Sequence, residues 1–129
     1  MSLNFNLSKS ETFHNDAYHF VNKNEIKSLA KKYPLQKDII MQEVDINNFQ
    51  GSYNESLTFN IFLNGQSVRL TILGLGDKKK LSNEKIFRIS SSITYKLTLL
   101  KNKMSSIDIF LPSSFTKDDC ENVFLGLYN

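Results

Sequence analysis

Polar and apolar residues alternate at the start of the chain, in LNFNLS (residues 3–8), and this predicts a short strand with one buried face. DAYHFVN (16–22) repeats the pattern, with Ala17, His19 and Val21 on one side and Tyr18 and Phe20 on the other. The period then changes. Ile26, Leu29, Ala30 and Tyr33 fall at helical spacing, Asn24 is placed to cap the helix, and Pro34 ends it. LQKDIIMQEVDI (35–46) fits a helix through Leu35, Ile39, Ile40 and Val44, and its β-branched residues fit a strand as well. NNFQGSYNES (47–56) is polar and holds a glycine, so it reads as a connection.

LTFNIFL (57–63) and SVRLTILGL (67–75) are two apolar runs joined through Asn64-Gly65. That dipeptide tolerates the positive φ angles of tight hairpin turns, so the two strands are expected to pair antiparallel. The Ile/Val-rich second run is expected to be the central strand. A long amphipathic helix follows, with Ile86, Ile89, Ile93, Leu97, Leu100 and Met104 on one stripe and Ser82 as its cap. SIDIFLP (106–112) is a strand closed by proline. TKDDCENVFLGLYN (116–129) starts on a Thr cap with two early acids, and Cys120, Val123, Phe124 and Leu127 are expected on its buried face.

With residues 35–46 taken as a helix, the order is strand, strand, helix, helix, hairpin, helix, strand, helix. That predicts a single α/β domain over 1–129, a three-layer sandwich of a mixed sheet with helices on both faces. At 129 residues, one hydrophobic core of ordinary size suffices. The lone cysteine, Cys120, excludes an internal disulfide and fits a reducing compartment. No secretory signal and no membrane-length apolar run is visible, so the expectation is a cytoplasmic protein with no membrane partner. A formal charge of +3 permits nucleic-acid contact without arguing for it.

Candidate chemistry is sparse. Gly74-Leu75-Gly76 ends a strand ahead of a helix, where backbone N–H groups can hold a phosphate. The dinucleotide fingerprint needs a third glycine, and Lys79 stands there, so the pair reads first as a tight turn where the strand leaves the sheet, with phosphate binding as the alternative. Lys78-Lys79-Lys80 reads as a solvated loop, with a nucleic-acid backbone as the functional alternative. His14 and His19 lack the companions a metal site needs, and Cys120 reads as packing. No catalytic, cofactor-binding or metal-binding residue is therefore assigned.

Three stretches in order resemble the N-terminal domain of the leucyl aminopeptidase (cytosol aminopeptidase) family. In NNFQGSYNESLTF, Phe49, Gly51, Glu55 and Leu57 match the family's Asp-Phe-x-Gly-Lys connection and the strand after it. VRLTILGLGDKKKLSNEKI resembles the family's strand ending Gly-Leu-Gly and the helix start beyond, through Gly74, Leu75, Gly76, Lys78, Leu81, Ser82, Glu84 and Ile86. CENVFLGLYN is similar to a family helix ending Leu-Gly-x-Tyr, with Glu121, Leu125, Gly126 and Tyr128 matching. Asn48, Ser52 and Asn122 depart from the pattern, which marks a divergent member.

The resemblance implies a macro-domain-like fold that lacks the peptidase site. It implies a metallo-exopeptidase parent, a hydrolase releasing N-terminal amino acids, whose C-terminal catalytic domain would hold two divalent ions, zinc or manganese. This chain would then be one domain of a longer hexameric enzyme, contributing to assembly or regulation and without cofactor or protease activity of its own. An ADP-ribose or other nucleotide site, or DNA binding, is the alternative that such a fold and the lysines leave open.

Overall fold

The computed structural model describes residues 4–8, 16–99 and 106–128. It contains β1 (Asn4–Ser8), β2 (Asp16–Asn22), α1 (Ile26–Lys31), α2 (Lys37–Ile46), β3 (Ser56–Leu63), β4 (Gln66–Gly76), α3 (Asn83–Leu99), β5 (Ser106–Phe110) and α4 (Lys117–Leu127). The five strands form one sheet in the order β1-β5-β2-β4-β3. β1, β5, β2 and β4 run parallel to their neighbours, and β3 joins β4 antiparallel through the Asn64-Gly65 turn. Asn64 at φ 51° and Gly65 at φ 80° give that turn its hand. The sheet is mixed, as expected. β2, rather than β4, occupies the middle; β4 is interior but one place from the edge.

Alternation along β2 divides the interior into two cores. Ala17 and Val21 meet Leu29 and Ala30 of α1 and Ile40 and Val44 of α2, with Leu70 and Ile72 of β4. Tyr18 and Phe20 point the other way, toward Ile86, Ile89 and Ile93 of α3 and Val123 and Leu127 of α4. The result is the three-layer α/β sandwich. The ambiguous segment 35–46 is helical from Lys37 onward, because its β-branched residues Ile40 and Val44 lie four apart and bury against the sheet. Leu35 and Ile39, placed on the same stripe by the sequence pattern, are exposed.

Three helix starts differ in how they are closed. Thr116 forms a reciprocal capping box with Asp119. Ser82 Oγ accepts from the Lys85 N–H at 3.3 Å, in line with a simple cap. Asn24 does not cap α1: Glu25 is the boundary residue, and Asn24 takes φ 95° in the turn before it. An Asn tolerates that left-handed geometry, which is the role the chain needs there.

α4 differs from its expected orientation. Val123, Gly126 and Leu127 are its buried residues, Cys120 is half-buried, and Phe124 is exposed. The cause is Gly126, where a Cβ would lie 2.5 Å from the Phe87 carbonyl oxygen and 2.6 Å from Ser90 Cβ. Backbone-close packing on α3 turns the helix toward Gly126 and carries Phe124 outward. Thr94 Oγ1 then donates to the Leu127 carbonyl at 2.7 Å, tying the two helices at the far end. Leu100, Met104 and His14 lie outside the described residues, as does the side chain of Leu97.

Candidate functional site

The helices after β4 and β5 pass to one face of the sheet, and those after β2 pass to the other. Their connections part at the C-terminal end of β2, the kind of place where open α/β sheets bind ligands. Two hollows lie there. One, of about 260 Å³, is bordered by His19, Lys32 and Ser113; the other, of about 520 Å³, is bordered by Asn22, Glu25, Gly76 and Lys78.

The glycine pair faces this end of the sheet, and its outward amides are occupied. Gly74 N–H donates to the Glu55 carbonyl at 2.8 Å, and Gly76 N–H to the Gly51 carbonyl at 2.9 Å. In return, Asn54 N–H donates to Gly74 O at 3.0 Å, while from the turn after β2 Lys23 N–H donates to Gly76 O at 2.9 Å. The connection before β3 is thereby clamped along the end of β4. Glu55 shapes the clamp from within, its carboxylate accepting from the N–H groups of Ser52 at 2.9 Å and Gln50 at 3.1 Å. Phe49 anchors it in the first core. These donors are what a phosphate cradle would need, so the tight-turn reading describes the geometry.

His19 is a buried aromatic wedge. It stacks on Phe110 with centroids 4.4 Å apart, and its Nε2 hydrogen-bonds the Tyr33 hydroxyl. Burial, with the Lys32 charge adding to it, lowers its pKa from 6.5 to about 3. It is neutral at physiological pH. Asn22, at the end of the same strand, donates from Nδ2 to Glu25 at 3.2 Å; its Oδ1 is buried without a partner among the described residues. Nothing in the sequence marked that residue.

Lys78–Lys80 form one turn of 3-10 helix, all three exposed, with Asp77 accepting from the Lys79 N–H at 3.0 Å. Lys85 holds the turn down by donating to the Lys80 carbonyl at 3.1 Å while lying over the Tyr53 ring. Cys120 packs against the second core. Among the described residues no three His, Cys, Asp or Glu side chains come together to hold a metal ion. Among them, too, no helix is long and apolar enough to cross a membrane.

α4 also presents apolar surface to solvent. Phe124, Leu125 and Tyr128 of α4 are 45%, 60% and 59% exposed, and the rings of Phe124 and Tyr128 stack at 6.2 Å. With Glu121 they border a shallow depression of about 500 Å³. Contiguous aromatic surface of this kind marks an interaction face more often than a solvent face.

No protein-family model matches the chain, and no curated protein matches it. A solved structure of tomato leucine aminopeptidase does, with a TM-score of 0.59 and 15% sequence identity. The match takes in 100% of this chain and 28% of the tomato chain. At that identity the likeness establishes the fold: these residues fold as one portion of that enzyme's chain does. Residues behind the sequence resemblance hold that fold together. Phe49 and Leu57 are in the core, Gly51 and Glu55 build the clamp, and Gly126 seats α4.

Proposed function

We propose that this chain is a non-catalytic domain of a cytoplasmic, leucyl-aminopeptidase-type protein, and that it serves assembly. The observation that carries the reading is the correspondence of the whole chain to 28% of the length of the tomato enzyme. Peptide hydrolysis, with its divalent metal ions, would belong to a separate catalytic module of the kind the family resemblance implies. The Phe124-Leu125-Tyr128 face of α4 is where this domain would pack on that module, within the family's hexamer. Its stacked rings present apolar area at little entropic cost, and Glu121 gives it a polar rim.

Hydrolysis of leucine p-nitroanilide by the purified chain, with zinc or manganese added, tests the division of labour. The expected rate equals that of the metal-only blank. Chelator-sensitive hydrolysis that co-purifies with the chain would overturn the reading.

A further inference from the structure

α3 and α4 cover the middle of one sheet face, and β3 lies beyond their reach. β3 alternates, with Leu57, Phe59 and Ile61 buried in the first core and Ser56, Thr58 and Asn60 exposed on the opposite side. Between that open stretch and the C-terminal half of α3 runs a groove of about 290 Å³. Its floor includes the buried side chains Leu73 and Ile93. Arg69 of β4 and Lys96 of α3 border it. We propose that this groove binds a small oxyanion, a carboxylate or a phosphate monoester, carrying a compact apolar group.

The arginine is held in place for such a role. Its Nε donates to Asp16 Oδ1 at 2.5 Å, and Asp16 is only 5% exposed. A buried carboxylate on the inner edge fixes the plane of the guanidinium, and the side chain remains about one-third open to solvent. Among the described residues the two terminal Nη groups have no partner, and neither has the Lys96 ammonium. Among the described residues at the groove, two cations against one carboxylate leave a positive balance. A planar fork with free outer N–H groups is the donor geometry that carboxylates and phosphates accept.

Three of the remaining polar side chains bond one another. Tyr18 bonds Thr71, whose Oγ1 lies 3.0 Å from Thr58 Oγ1 at the groove's outer wall. Burial first, and then Asp16, push the Tyr18 hydroxyl pKa upward, so it stays protonated. A charged end at Arg69 and Lys96 with apolar surface at Leu73 and Ile93 selects an amphipathic ligand over a bare ion. The volume is at the small end of ligand sites and suits a single ring.

Titrating isotope-labelled protein with phenyl phosphate, benzoate and inorganic phosphate, followed by amide NMR shifts, tests this. Phenyl phosphate or benzoate is expected to move the amides of Thr58, Thr71 and Ile93 with a Kd of about 1 mM. Whichever of the two binds tighter identifies the oxyanion. Inorganic phosphate is expected to bind roughly fivefold more weakly, and benzyl alcohol to leave these amides unmoved. Arg69→Lys keeps a cation on Asp16 but engages its only ammonium there, so affinity should fall about tenfold. Lys96→Gln, at an exposed position, should weaken binding about threefold without touching the fold. Equal affinity in wild type and Lys96→Gln, shifts confined to Lys78–Lys80, or no shift by either aromatic anion would each overturn the proposal.

Discussion

Gly74→Ala is expected to destabilise the domain by on the order of 3–5 kcal/mol, a large share of the stability of an ordinary domain. A Cβ at this position would sit 2.1 Å from the Ser52 carbonyl oxygen and 2.7 Å from the Gly51 carbonyl carbon. Both obstacles are backbone, so no side-chain rotation relieves them. The connection would have to lift off β4, breaking the Gly74 N–H to Glu55 and Gly76 N–H to Gly51 hydrogen bonds. Gly65→Ala separates sterics from backbone strain. Gly65 carries a positive φ, at 80°, which Gly74 does not, and a Cβ there meets nothing within 4 Å. Its replacement should cost only about 1 kcal/mol. In thermal denaturation the Gly74 variant should melt roughly 10–20 °C below wild type and the Gly65 variant within about 5 °C. Equal melting temperatures would mean that the clamp is not a fixed part of the fold.

The second large effect is a pH dependence seated at His19. Its pKa is about 3 in the folded protein against 6.5 for a free imidazole. Below pH 6.5 the unfolded chain takes up a proton that the folded chain refuses, so stability falls as the pH falls, and the loss is complete only near pH 3. At full slope one such group changes stability by about 1.4 kcal/mol per pH unit, or roughly 2–3 kcal/mol by pH 4.5. His19→Gln keeps a polar group opposite Tyr33 and removes the titration. Urea unfolding at pH 7 and pH 4.5 should show wild type losing more stability than the variant by that amount. Parallel losses in both proteins would place the acid sensitivity elsewhere.

Much of this architecture was legible in residue periodicity. Ala17, His19 and Val21 do face away from Tyr18 and Phe20, the Asn64-Gly65 hairpin forms, and the Ile86-Ile89-Ile93 stripe is the buried face of α3. Periodicity reports that an apolar stripe exists, and it does not report how closely two helices approach. On α4 the sequence offered Val123, Phe124 and Leu127 as one face, but the contact that orients the helix is made by Gly126, which carries no hydropathy signal. Phe124 was therefore misplaced, and the surface it helps form emerged only with the fold.

The polar features were hidden for a different reason. Arg69 and Asp16 are 53 positions apart and meet because β2 and β4 pair in parallel with those residues in register. Nothing local marks either one. The glycine pair was visible as an irregularity, but its meaning depended on the backbone hydrogen bonds supplied by the connection at residues 51–55. The family resemblance had placed Phe49, Gly51 and Glu55 in order without saying what they did. They form the clamp that fills the place where a phosphate would have sat.

The most direct test of the assembly role is a photo-crosslinking amino acid at position 124, introduced into the protein in its own cells. Phe124 is surface-exposed on the aromatic face of α4, so the substitution should leave the fold intact. Mass spectrometry of the cross-linked product is expected to join position 124 to peptides of a metal-dependent aminopeptidase module. Cross-links only to another copy of this domain, or none above those from a probe at the exposed Lys37, would contradict the account.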